Sequence, residues 1–236
     1  MYELLNSITH SAKQTMQAQA VNANNLANAS TDGFKAEIAY YSSLNLSGEI
    51  SSTADLSQGT VRTTGRELDI AINGEGWFAV IGADGTEAYT RRGDLQIDAF
   101  GQITNGAGQL LLGNKGPISL PPFGSVEIGT DGTVSILPLG QGPNTLAVVD
   151  RIKLVTLEPS DLERGDDGLL RLKEDALVNA DAAVNVISGA LEGSNVNVVG
   201  EMVKMIDLAR RFEGEIRLMK SAQENSAALA EIMSMR

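Results

Sequence analysis

The sequence predicts a mainly β globular middle domain with long N- and C-terminal α-helices, and three patterns carry that expectation. An apolar heptad without proline runs from residue 198 toward the end. Alternating apolar residues separated by glycine turns fill the middle, and a small-residue helical pattern occupies the start. At 236 residues the chain can form one large domain or two modest ones.

The C-terminal pattern is the clearest. Val198, Met202, Met205, Ala209, Phe212, Ile216 and Met219 alternate spacings of four and three, a heptad seam. Asp207/Arg211 and Glu213/Arg217 stand four apart with the acid first, the order that supports a helix. A continuous helix from 198 onward would span roughly 50 Å at about 1.5 Å per residue. Such a length, with a narrow seam, is hard to bury on a middle segment of ordinary domain size.

The N-terminal seam is weaker: Leu5, Ile8, Ala12, Met16, Ala20, Ala23 and Ala27. Its other faces carry uncharged amides, among them Gln14, Gln17, Asn22, Asn24, Asn25 and Asn28. Alone in water such a helix is marginal, since it has little apolar area to bury. Small side chains let a partner helix approach closely, and amides can hydrogen-bond across the contact without desolvating a charge.

The middle reads as strands. Leu68, Ile70 and Ile72 alternate, and the chain then turns through Asn73-Gly74-Glu75-Gly76 into Trp77–Ile81. Val126 and Ile128 face Val134 and Ile136 around Asp131-Gly132, a strong hairpin signal. Residues 83–89 predict a second hairpin turn, and 100–112 repeat the strand and Gly-turn rhythm. The expected organisation is an N-terminal helix and Asn-rich turn over 1–36, a Ser-rich extended connector over 37–67, a β-rich domain over 68–190, and a hinge with a C-terminal helix over 191–236.

The net charge of −12 is carried by residues 37–196, because both ends hold equal numbers of acids and bases. An acidic body argues against nucleic acid or an anionic membrane as partner. With no run of 18 apolar residues, no transmembrane helix is expected, and the N-terminus shows neither the basic region nor the apolar run of a cleavable signal peptide. Without cysteine there are no disulfides and no thiolate metal sites.

Catalytic signals are poor. The only histidine, His10, has no acid three or four residues away to orient it, and reads as a surface or interface residue. Residues 73–77 lack the spacing of a phosphate loop and join strand to strand. Glu158, Asp161, Glu163, Asp166 and Asp167 lack the alternation of a calcium loop and read as a solvated turn. Arg91-Arg92 reads as two charges in a hairpin. No enzyme, cofactor, metal site or small-molecule substrate is expected. A β domain between two helices that cannot complete their own burial is a plan for assembly. The rival readings are a secreted β-rich binding module with a coiled-coil oligomerisation tail, and a hydrolase with a diffuse acidic site.

The residues then become recognisable. NNLANASTDGFK, 24–35, closely resembles the Asn-Asn-Leu-Ala-Asn-x-x-Thr-x-Gly-Phe-Lys signature of bacterial flagellar rod and hook proteins, with Asp32 where that family commonly has proline. LDIAINGEGWFAV (68–80) and YTRRGDLQIDAFGQITNGAG (89–108) resemble the start of the shared β domain. LEGSNVNVVGEMVKMIDLARRFE (191–213) resembles the hinge and C-terminal helix. Within the family, GPISLPP (116–122), TDGTVS (130–135), DRIKLV (150–155) and GDDGLLR (165–171) are most similar to the proximal-rod member, with the distal-rod member next.

The resemblance implies that the terminal helices pair as a coiled coil and line the inner tube of a rod spanning the periplasm, with the β domain outside. It implies a structural subunit of the basal body, exported through the flagellar type III apparatus without a cleavable signal. Its partners would be proximal- and distal-rod proteins and copies of itself. The implied assembly interface takes Leu5, Ile8, Met202, Met205, Phe212, Ile216 and Met219 from the helical seams. It adds Asn24, Asn25, Leu26, Asn28, Gly33 and Phe34 from the signature, and Asn195 and Asn197 from the hinge. Gly33 is expected to be needed for the backbone geometry of the turn, so that Gly33→Val impairs assembly and leaves the β domain's melting temperature nearly unchanged.

Overall fold

Two units divide the chain in the computed structural model, which describes residues 2–41, 50–140, 145–165, 167–173 and 178–234. One unit comprises Met1–Ala29, Glu37–Asp55 and Val196–Arg236, and the other Ser30–Ala36 with Leu56–Asn195.

The first unit holds helices α1 (Tyr2–Ala27) and α2 (Val198–Ser234) and an antiparallel strand pair, Glu37–Tyr41 with Ile50–Ala54. Asn197 starts α2 as its N-cap: its Oδ1 accepts the Gly200 N–H at 3.0 Å while its carbonyl accepts the Glu201 N–H at 2.9 Å. No proline follows, so the helix runs uninterrupted. The two helices pack antiparallel, since Asn22 meets Glu201 near one end of the contact and Thr15 meets Glu215 further along.

The connector expected over 37–67 is more structured than its Ser-rich sequence suggests. Besides the strand pair on the helical unit, Val61–Thr63 pairs with Ala190–Glu192. Serine and threonine fill much of Ile50–Ala54, so no apolar alternation marks the strand.

The second unit is built on a nine-stranded sheet. Its main path runs Leu162–Arg164, Leu170–Leu172, Glu87–Thr90, Trp77–Ile81, Leu110–Gly113, Ile103–Asn105 and Leu95–Ile97. Gly116–Pro117 flanks Leu110–Gly113, and Leu154–Val155 flanks Trp77–Ile81. A three-stranded sheet, Phe123–Ile128, Thr133–Pro138 and Ala147–Arg151, shares the same core. Ile70, Ile72, Phe78, Leu95, Ile103 and Leu111 are completely buried there, and Val126, Ile128, Val134 and Ile136 continue the cluster.

The hairpin at Asp131-Gly132 has the expected register, Val126 opposite Ile136 and Ile128 opposite Val134, with Gly132 in the left-handed region. The hairpin around 83–89 and the strand return within 100–112 also form. The turn at 73–76 does not fold back on itself. Ile70–Asn73 pairs with Asn185–Ser188, while Trp77–Ile81 joins the large sheet. Gly74 and Gly76 both take positive φ and redirect the chain. Ala71 and Ala79 are completely buried beside their large neighbours, so both strands are covered on two faces and not one. In the acidic segment, Asp161 closes a short 3-10 turn (Pro159–Asp161) and Glu163 lies on the strand Leu162–Arg164. Asp167 is paired to Arg171 at 2.7 Å, and Asp166 falls outside the described residues.

Candidate assembly interface

The Asn-rich end of α1 is a set of backbone clamps. Asn25 is completely buried, and its amide donates to the Glu37 carbonyl and accepts from the Glu37 N–H, both at 2.8 Å. A side-chain amide thereby pairs with a strand's backbone as another strand would. Asn22, also completely buried, donates through Nδ2 to the Glu201 carbonyl at 3.1 Å and to the Glu201 carboxylate. Asn28 closes the helix by donating to the carbonyl and Oδ1 of the exposed Asn24, at 3.0 and 2.8 Å. Leu26 beside them is half-buried.

On α2, the residues turned toward α1 are Glu201, Met205, Leu208, Phe212, Glu215, Met219 and Ala222, all buried or half-buried. Met205, Phe212 and Met219 belong to the expected seam. The alternate positions are displaced by one residue: Glu215 is buried where Ile216 was expected, and Met202 and Ile216 are 50% and 44% exposed. On α1, Leu5, Ile8 and Ala12 follow the expected seam, after which Thr15 is buried and Met16 lies 55% exposed. The physical reason is pairing. Glu215 accepts hydrogen bonds from Ser11 at 2.5 Å and Thr15 at 3.1 Å and is met by Arg211 at 3.3 Å, so polar residues occupy positions that hydrophobicity assigns to their neighbours. Val199, Met202, Val203, Ile206 and Ile216 are left as an exposed apolar stripe on α2.

The Gly-Phe-Lys of the signature belongs to the β unit. The Gly33 N–H donates to the Glu192 carbonyl at 2.7 Å, and its φ of +70° suits glycine. A Cβ there would sit 2.3 Å from the Arg92 backbone nitrogen. The Phe34 ring lies under the Arg164 guanidinium, 4.9 Å to the centroid. Lys35, only 3% exposed, donates to the Ser57 carbonyl and to Glu192 Oε1, each at 2.6 Å. Glu192 Oε1 also accepts the Gly59 N–H at 2.9 Å, and its Oε2 accepts from the buried Arg91 at 2.9 Å. Both cations flank Trp77, Arg91 at 5.0 Å and Lys35 at 6.0 Å from its ring. Burial lowers the Arg91 guanidinium's pKa from its ordinary value, and the Glu192 carboxylate opposes that shift.

Asn195 completes this knot. Its Oδ1 accepts the Ala36 N–H at 2.7 Å, and its Nδ2 donates to the carbonyl and hydroxyl of Ser57 at 3.1 Å each. Gly33, Phe34 and Asn195 are therefore committed to contacts inside the β unit, and Asn197 to capping α2. Arg91, expected as one of two charges in a hairpin, follows the strand Glu87–Thr90 and is a buried partner of Glu192. Neither residue carries a local signal, because each becomes meaningful only when strands distant in sequence meet.

A β body whose chain ends form packed helices, one with an apolar stripe left open, defines a subunit made for assembly. Comparison with known proteins gives the family. The chain matches the family descriptions "Flagella basal body rod protein" over residues 10–35, "Flagellar hook protein FlgE/F/G D1 domain" over 71–136 and "Flagellar basal body rod FlgEFG protein C-terminal" over 187–232. It is 41% identical to the flagellar basal-body rod protein FlgF of Escherichia coli strain K12 over 240 residues, 95% of each chain. It is 40% identical to FlgF of Salmonella typhimurium strain LT2, again over 95% of each chain. To the rod protein FlgG of Bacillus subtilis strain 168 it is 35% identical over 75% of its own length and 70% of that protein's. The chain belongs to the flagellar basal-body rod protein family.

Proposed function

We propose that this chain is a structural subunit of the proximal rod, in the role the name FlgF denotes, and that it passes torque along the flagellar drive shaft. The observation that carries this reading is the 41% identity to FlgF over 95% of both chains, against 28–29% to FlgG proteins over 94% of this chain and 35% to another over 75% of it. In this reading α1 and α2 act as a coiled coil in the inner tube. The exposed stripe of Val199, Met202, Val203, Ile206 and Ile216 is the surface that neighbouring copies and other rod proteins cover, together with Leu5, Ile8, Leu26 and the edges of Met205, Phe212 and Met219. Covering what remains exposed of such side chains contributes a fraction of the about 1.5–3 kcal/mol that full burial of each would give. The exposed Asn24 sits where it can hydrogen-bond a neighbour, while Asn25, Asn28, Gly33, Phe34, Asn195 and Asn197 shape the surface from inside. The subunit is exported by the flagellar type III apparatus, lies within the periplasmic span of the basal body, and performs no catalysis.

The test is complementation of a bacterium lacking its own FlgF, followed by imaging of isolated basal bodies. The expected result is restored swimming, with the chain's density in the proximal rod. Density in the distal rod would assign the FlgG role, and an absence from purified basal bodies would overturn the rod reading.

A further inference from the structure

Two polar contacts cross the α1–α2 seam. Asn22 is completely buried against Glu201, and Thr15, 1% exposed, joins Ser11 on the 7% exposed Glu215. Glu201 and Glu215 stand two heptads apart on one face of α2. Between and beyond them the seam is repetitive: Ala12 and Ala18 on α1 face a helix bearing Met205, Leu208, Phe212 and Met219. Small side chains opposite large flexible ones specify position weakly, because a slip of one heptad would present nearly the same surface.

The polar groups break that degeneracy at a cost in stability. Asn22 Oδ1 and Glu215 Oε2 are buried without a hydrogen-bond partner among the described residues. A seam built for stability alone would not hold two such acceptors, because apolar groups of similar volume often replace buried polar ones without loss. A slip of one heptad in either direction separates Asn22 from Glu201, and in one direction it sets the Glu215 carboxylate against Ile8.

We propose that Asn22–Glu201 and Thr15–Glu215 are register pins that fix how far α2 lies along α1. This rests on the reading of the two helices as a pair. A subunit whose outer stripe must meet its neighbours at a defined height needs that register before it assembles.

The 236-residue chain contains no cysteine, so a pair of spin labels can be placed without background. Labels on Ser7→Cys and Asp207→Cys, both at exposed positions and offset along the helix axes, report register as an interspin distance. The parent should give one narrow distance. The variant Thr15→Val, Asn22→Leu, Glu201→Leu, Glu215→Leu should remain helical and gain a second population, from a slip of about 10 Å along the axis, since one heptad rises about 1.5 Å per residue. Glu215→Gln, which keeps an acceptor for Ser11 and Thr15, should retain the single distance. An unchanged narrow distance in the apolar variant overturns the pins and leaves the helix pair standing. A parent with no defined distance overturns the pairing and the pins together.

Discussion

In the β unit the completely buried side chains include Phe78, Ile70, Ile72, Leu95 and Ile103, whereas on α1 the buried positions are Ala12, Thr15, Ala18, Asn22 and Asn25. Several large apolar groups of α2 are instead on the outside, with Val199 72% and Val203 55% exposed, while Met205, Phe212 and Met219 are only half-buried. Burying an isoleucine or phenylalanine contributes about 1.5–3 kcal/mol, so the β unit can sustain itself from its own core. An alanine seam returns far less. The difference teaches where each unit finds its stability: one has a large apolar core of its own, and the other buries small and polar groups and leaves apolar side chains uncovered.

The largest expected effect tests the self-sufficiency of the β unit. Glu192→Ala removes the buried carboxylate that pairs with both Lys35 and Arg91, which should cost about 3–5 kcal/mol. Urea unfolding followed by the emission of Trp77, the only tryptophan and a neighbour of both cations, measures it. Replacing all three together, as Lys35→Met, Arg91→Met and Glu192→Leu, should recover most of the loss. A Glu192→Ala midpoint equal to the parent's would show that the knot contributes nothing to the body.

Next comes Gly33→Val, which sharpens the boundary between the units. The sequence alone suggested a turn serving assembly only. The left-handed backbone and the Arg92 nitrogen 2.3 Å from a would-be Cβ place the cost in the β unit, about 2 kcal/mol. The same Trp77 transition should therefore shift. Helix content measured by circular dichroism before that transition should not.

A smaller effect is acid sensitivity in the β unit. Asp84 is held down to about 2, first by hydrogen bonds from the backbone and hydroxyl of Thr86 and then by Arg171. Hydrogen bonds from Thr133 likewise lower Asp131. A depressed carboxylate stabilises above its unfolded pKa, near 3.8 for Asp84, and that stabilisation fades as pH falls toward 2. The melting temperature of the β unit should decline between pH 4 and pH 2, by less in Asp84→Asn. An identical decline in both would remove Asp84 from the account.

Smallest for folding, and decisive for assembly, is Ile206→Asp on the exposed stripe. Unfolding of the isolated chain should change by no more than about 0.5 kcal/mol, as for an ordinary surface substitution. Rod incorporation and swimming should be lost. Normal swimming by this variant would mean that the stripe faces no neighbour, and the comparison between the units would fail.

Much of this was legible in the sequence, and the rest failed for physical reasons. The Asp131-Gly132 hairpin is local, so its register followed from alternation and turn chemistry alone. The helices were legible as helices, but their contact faces were displaced by one residue. Hydrophobic period ranks Met16 over Thr15 and Ile216 over Glu215, and nothing local reveals that Thr15 and Glu215 satisfy each other across 200 residues. The partner of Ile70–Asn73 was hidden for the same reason, because Asn185–Ser188 lies more than a hundred positions away. The signature NNLANASTDGFK reads as one motif and folds as two pieces, its asparagines clamping α1 and its Gly-Phe-Lys entering the β unit.

The chain passes between the units next to Ser30, Ala36, Leu56 and Asn195. Within the β unit the residues just inside these passages are tied to one another: Asn195 holds Ala36 and Ser57, Lys35 holds Ser57 and Glu192, and Gly33 holds Glu192. Each of these segments is therefore held to the other two by short bonds inside the β unit. Three chain segments are thus spliced to one another by bonds that lie outside the hydrogen-bond ladders of the nine-stranded sheet.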